Sequence, residues 1–137
     1  MKIGDIFEVI DSENNVKIEI QDEINSIIRR YNELGLIAWI YLKDNSIEVA
    51  SIKISDKKKR KQGLGSALMT EITDLCDKYN LICTLTPEPT ETPKTVLLRF
   101  YKKFGFVSNM GSKRDFRFRN TMIRQPNKNG NNSKKNT

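Results

Sequence analysis

A chain of 137 residues is the size of one domain built round one core. It carries 24 Lys and Arg against 17 Asp and Glu, a formal net charge of +7, and no histidine. That excludes a Ser-His-Asp or Cys-His nucleophile pair, a histidine general base and a zinc site built on imidazole, while two cysteines are too few for a disulfide framework or a four-sulfur metal site.

Residues 6–10 and 16–20 flank Asp-Ser-Glu-Asn-Asn, and Val16, Ile18 and Ile20 alternate with Lys17 and Glu19. This alternation predicts a β-hairpin with one buried face. Over residues 22–34 the period changes: Ile24, Ile27, Ile28, Tyr31 and Leu34 share one helical stripe, and Gly35 is the stop signal. Leu36–Leu42 reads as an apolar strand, which Lys43-Asp44-Asn45-Ser46 turns into a second strand at 47–54. In that strand Ile47 and Val49 are odd-numbered but Ile52 and Ile54 even-numbered. Either an extra residue forms a β-bulge near Ala50 and Ser51, or the strand is buried on both faces.

The basic run Lys57-Lys58-Lys59-Arg60-Lys61 follows, then a helix at 66–79 whose stripe is Leu64, Leu68, Ile72, Leu75 and Tyr79. Residues 81–86 form a short buried strand, and Pro87, Pro89 and Pro93 keep the next stretch irregular. Thr92 as N-cap and Pro93 as first helical residue begin a helix at 94–103, which Gly105 ends. Residues 106–107 and 116–124 read as closing strands, with Phe116 and Phe118 turned inward and Arg117 and Arg119 outward. The order ββα-ββ-α-β-α-ββ is an α/β (α+β) domain over residues 1–126. Residues 127–137 hold no apolar side chain and carry Lys128, Lys134 and Lys135, which predicts a disordered tail. Cys76 and Cys83 read as small buried hydrophobes or, alternatively, as a reactive pair. No apolar run reaches the length of a membrane span, and Met-Lys-Ile-Gly-Asp does not open a secretory signal, so a cytoplasmic protein without membrane contact is expected.

The chemistry concentrates where strand 47–54 meets helix 66–79. Arg60-Lys61-Gln62-Gly63-Leu64-Gly65 is a basic, glycine-punctuated turn opening into a helix. Glycines allow close backbone approach, first-turn N–H groups lack intrahelical partners, and the helix dipole is positive there. The turn reads as a pyrophosphate seat or, more plainly, as a surface loop with a helix cap. It has neither the Gly-Lys-Ser/Thr of a nucleoside-triphosphate loop nor a Gly-x-Gly-x-x-Gly fingerprint.

A second motif, Tyr101-x-x-x-Gly105-Phe106, ends the 94–103 helix. With Arg60-x-x-Gly63-x-Gly65 before it, the chain over residues 47–126 resembles the GNAT superfamily of acetyl-CoA-dependent N-acyltransferases, and its last part resembles small stand-alone members found in bacteriophages. The resemblance implies a mixed, mostly antiparallel sheet flanked by helices, with two central parallel strands splayed apart. It implies acetyl-CoA as co-substrate, no metal, and an amine acceptor. Backbone N–H groups of Gln62, Gly63, Leu64, Gly65 and Ser66 would hold the pyrophosphate, with charge from Arg60 and Lys61. The pantetheine arm would pair with the strand edge at Ile52 and Ile54, and freed N–H groups near Ser51 and Ile52 would polarise the thioester carbonyl. A bulge in that strand is usual in the family. Tyr101 would be the acid that protonates the departing thiolate, the alternative being simple packing at a helix end.

With no histidine, the base is a carboxylate or a water chain. Glu48 is the candidate, the alternative being a solvent-facing residue of an amphipathic strand, and Glu88 is a second. Two positions depart from the family pattern: Lys94 stands where many members have a pantetheine-binding Asn, and Lys61 where the loop often has Gly. The N-terminal elements that normally shape the acceptor pocket differ too, so the acceptor is open, as is the choice between monomer and homodimer. A reading from a different class is a nucleic-acid-binding module using residues 57–61, Arg114, Arg117, Arg119 and the tail, with Phe116 and Phe118 interleaved. The inward turn expected of those phenylalanines argues against it. A GNAT-fold protein that binds acyl-CoA without catalysis is a third reading.

Overall fold

The computed structural model describes residues 3–54, 63–89 and 92–127, with residues 3–12 described by their backbone alone. The described residues form α1 (Ile3–Glu33), β1 (Leu36–Leu42), β2 (Ser46–Ile54), α2 (Leu64–Tyr79), β3 (Ile82–Leu85), α3 (Lys94–Lys102), β4 (Val107–Ser108) and β5 (Met122–Arg124). The five strands make one mixed sheet in the order β1-β2-β3-β5-β4. Every neighbouring pair is antiparallel except the parallel β2/β3. The chain is therefore a mixed α/β protein. The expected tail from residue 128 onward and the basic run at 57–61 lie outside the described residues. Asn127, placed at the start of that tail, is tied to the body: its backbone N–H donates to Asp77 Oδ1 at 2.8 Å.

The N-terminal hairpin expected from residues 6–20 does not form; the whole stretch belongs to the 31-residue α1. No proline, and no glycine after Gly4, interrupts the chain before Gly35, so the polar Asp-Ser-Glu-Asn-Asn costs a helix only about 0.7 kcal/mol per residue or less. Against that, Ile20, Ile24, Ile27 and Tyr31 recur at helical spacing and are all buried, in contact with β1 and α2. Each is worth roughly 1.5–3 kcal/mol, which decides the matter. The alternation of Val16 and Ile18 has no sheet to serve, and both are exposed. Gly35 ends the helix region as expected, at φ 95°.

β1 and β2 pair antiparallel, and the register jumps from Trp39↔Ser51 to Ile40↔Val49, leaving Ala50 as the extra residue. This bulge resolves the parity switch. Ile47 and Val49 before it and Ile52 and Ile54 after it lie opposite Leu42, Ile40, Ala38 and Leu36, all on one face. That face, with Cys83 and Leu85 of β3, packs against α1 and α2. Both cysteines are free and buried there, as small hydrophobes. Arg124 of β5 reaches across to α2 with a two-pronged bond to Asp77 at 2.8 and 3.0 Å, and its Nε donates to the Phe104 carbonyl at 2.6 Å.

Two further expectations change near the C-terminus. Pro93, at φ −58° and ψ 149°, is itself the N-cap of α3, and its carbonyl accepts from Val96 and Leu97. The cap thus falls one residue after Thr92. Residues 116–121 are not strand either. Buried Asn109 draws them into a compact loop: its Nδ2 donates to the carbonyls of Asp115, Phe118 and Asn120, and its Oδ1 accepts from the Asp115 N–H. Consequently Phe116 does not face the core; it is 71% exposed.

Candidate functional site

Only Asn80 and Leu81 separate α2 from β3, whose first residue pairs with the first residue of β2. α2 therefore runs back against the parallel pair, and its N-terminus lies at the carboxyl ends of β2 and β3, where open α/β sheets bind ligands. Gly63 is the N-cap, in left-handed conformation at φ 73°, and its carbonyl accepts the first helical bond, from Ala67. The N–H groups of Leu64, Gly65 and Ser66 consequently have no intrahelical acceptor. No acidic residue sits in this first turn. The two glycines differ in kind. Gly63 is required by its backbone angle. Gly65 is helical, and a Cβ there would meet only Phe100 Cζ, at an ordinary 3.7 Å. A helical glycine costs roughly 1 kcal/mol relative to alanine, and no contact among the described residues requires this one. Arg60, Lys61 and Gln62 lie outside the described residues.

The parallel pairing of β2 with β3 runs from Ser46↔Ile82 to Val49↔Leu85 and stops there, while β2 continues to Ile54 paired with β1 alone. The last paired residue adjoins the bulge at Ala50. From Ser51 to Ile54, including Ile52, the edge of β2 that faces away from β1 has no strand beside it among the described residues.

Tyr101 sits on α3 next to Phe100, the residue that would lie 3.7 Å from a Cβ on Gly65. Its ring packs edge-on against Phe100 at 5.1 Å and Phe106 at 5.9 Å. Its hydroxyl has no hydrogen-bond partner among the described residues, and it is not sealed from solvent. Burial pushes the phenol above the ordinary tyrosine value, with a further push from Cys83. The group is thus a proton donor, not an anion, at neutral pH. The rest of its motif has structural work: Gly105 adopts φ 93° with Arg124 Nε 3.3 Å from where a Cβ would stand, and Phe106 is buried.

Glu48 faces the other side of the sheet. It lies in an open cleft of about 560 Å³ whose walls include Lys43, Ser46, Thr84, Arg119 and Asn120. Asn120 Nδ2 donates to its Oε2 at 2.9 Å, and Lys43 Nζ lies 2.8 Å from its Oε1. Those two contacts hold the Glu48 carboxyl below the usual glutamate range. It is a fixed carboxylate, not a loose solvent-facing one. Glu88 is exposed and does not line the cleft. Lys94, at the family's asparagine position, is also exposed.

The α2 N-terminus and the open β2 edge thus lie at the carboxyl end of the parallel pair, with Phe100 of α3 beside Gly65, while Tyr101 packs against the core on the helix face and Glu48 lies on the opposite face of the sheet. Asn120, Lys43 and Asn109 were not legible as site residues, because their roles arise from contacts between distant segments. A second groove, between α1 and α2, holds Arg30 against Glu71 at 2.6 Å and Lys78 against Glu23 at 3.1 Å, and so is a charge-paired helix seam. Among the described residues no group of three or more His, Cys, Asp or Glu is placed to hold a metal, and no helix is long and apolar enough to cross a membrane. No family model matches the chain, and no curated protein or solved structure matches it either.

Proposed function

We propose that the protein is a GNAT-type N-acyltransferase that moves an acetyl group from acetyl-CoA to a primary amine. The observation that carries the reading is the parallel pair that stops at a bulge, with a glycine-capped helix N-terminus at its carboxyl end. The residues present fit such a donor. A first turn whose three N–H groups have no acceptor among the described residues, with no acid and with a Gly65 that no described contact requires, suits a pyrophosphate. The unpaired edge from Ser51 to Ile54 suits the amide-bearing pantetheine arm, which pairs as a strand does.

Bound acetyl-CoA supplies an acyl group activated as a thioester. The N–H groups of β2 beyond the bulge hydrogen-bond the carbonyl oxygen and so favour attack by the amine nitrogen. As the C–N bond forms and the C–S bond breaks, Tyr101 gives its phenolic proton to the departing sulfur and recovers one from solvent. Glu48, ionised at neutral pH, attracts the acceptor's ammonium from the opposite face and takes up the proton the nitrogen loses, directly or through water. Donor and acceptor therefore approach from the two faces of one sheet and meet in the gap between β2 and β3.

Calorimetry of acetyl-CoA binding tests the reading, with an affinity in the micromolar range expected. Gly65→Asp places an acid where the helix dipole favours it, so the fold keeps its stability or gains up to about 1 kcal/mol, yet phosphate binding is lost. Wild-type protein that binds neither acetyl-CoA nor CoA, or a Gly65→Asp variant that binds as well as wild type, overturns it. If binding occurs, release of CoA over a panel of amines separates an enzyme from an acyl-CoA-binding protein.

A further inference from the structure

The loop that departs from its expected strand carries a second surface. Asn109 gathers three loop carbonyls and one loop N–H. Asp115 then pins Arg117 through its guanidinium, at 2.6 and 3.0 Å, and through its backbone N–H. The backbone is therefore built, yet it holds Phe116 out in water, against the roughly 1.5–3 kcal/mol that burying a phenylalanine returns. The Arg114 guanidinium lies over that ring, 4.7 Å from its centroid, and Arg117 lies 5.3 Å from the Phe118 centroid. Only Arg117 has a carboxylate partner; Lys113, Arg114 and Arg119 have none among the described residues. Arg117, Phe118 and Arg119 also form one wall of the Glu48 cleft.

A rigid, protruding aromatic ring among uncompensated cations fits a ligand that is both anionic and planar. Bases stack on such rings while phosphates meet the cations, and the bases must be unpaired, because a ring on a surface loop cannot reach into a stacked duplex. We propose that the 109–120 loop is a docking surface for single-stranded nucleic acid, with Phe116 as the stacking platform and Lys113, Arg114 and Arg119 as the phosphate contacts. The strand would pass the mouth of the Glu48 cleft. This binding does not require the acyl-transfer reading, and it is measured without acetyl-CoA.

The test is fluorescence anisotropy of the full chain with labelled single-stranded RNA and DNA oligonucleotides, in a salt series. Phe116→Ala removes no charge and is expected to weaken binding roughly tenfold at fixed salt while leaving the salt slope unchanged. The double variant Arg114→Ala, Arg119→Ala is expected to lower that slope by about two. Gly65→Asp is expected to bind the oligonucleotides as wild type does, which keeps this inference separable from the acyl-CoA one. These losses with either strand type support the inference, and the tighter of the two names the natural one. It is overturned if no oligonucleotide binds, if Phe116→Ala binds as wild type, or if heparin and duplex bind as tightly as single strands, which would mean charge alone. It is equally overturned if anionic phospholipid vesicles, and not oligonucleotides, show the Phe116 dependence.

Discussion

The two faces of the sheet are made from the same strands and behave as different materials. On the helix face Leu36, Ile40, Ile47, Val49, Cys83 and Leu85 are sealed beneath α1 and α2, and Arg124, which enters there, is bound to Asp77 and the Phe104 carbonyl. On the other face Ile37, Trp39 and Tyr41 stand exposed on β1, and Glu48 is held by a lysine and an asparagine at the floor of a cleft. Alternation along β1 and β2 sends every second residue to each side, so the sealed and the open residues are interleaved a few ångströms apart. Only the bulge at Ala50 lets this division persist along β2.

Substitutions on the two faces should therefore fail in different ways. The largest effect is expected of Arg124→Ala, which removes the two guanidinium bonds to Asp77 and the bond to the Phe104 carbonyl, and should cost about 3–5 kcal/mol in urea unfolding. Replacing both members by apolar residues of similar volume should recover much of that loss. Next, Glu48→Gln keeps the shape of the cleft and should cost only about 1 kcal/mol in unfolding, the worth of its bonds to Asn120 and Lys43. Under the acyltransferase reading it slows turnover roughly a hundredfold, measured by CoA release at saturating donor. Asn120→Ala should act through Glu48. Because the Glu48 carboxyl is held below its ordinary value, its stabilising contribution is present above the unfolded glutamate pKa and is lost as pH falls through the folded one. Without the Asn120 bond that value rises towards normal, so the acid limb of the rate profile moves to higher pH, with the alkaline limb unchanged. The smallest effect is expected of Trp39→Ser, an open-face change at a side chain 45% exposed, with unfolding shifted by less than about 0.5 kcal/mol. A large loss there would show the open face to be covered in solution.

How much of this was legible followed from how local each cause is. β1, the turn after it, α2 and β3 came from short-range pattern, and so did the bulge, because a parity switch in one strand is visible without its neighbour. The α1 hairpin failed because an alternating run with polar residues before it satisfies a strand and a helix alike; the choice is made by where Ile20 and Ile24 find cover. The Phe116 strand failed because Asn109, seven residues earlier, supplies the hydrogen bonds that a neighbouring strand would have supplied. Glu48 could be nominated but not characterised, since Asn120 and Lys43 meet it only after folding. Gly65 gained most: as a motif residue it was one glycine among several, and in the structure it is a helical glycine that no contact among the described residues requires.

The most direct test of the central claim is an amide NMR titration of the folded chain with CoA. Shifts are expected to concentrate at Leu64, Gly65 and Ser66, whose N–H groups have no acceptor among the described residues, and at Ser51 and Ile52 on the open edge of β2. Shifts confined to the α1/α2 seam, or none at saturating CoA, would contradict it.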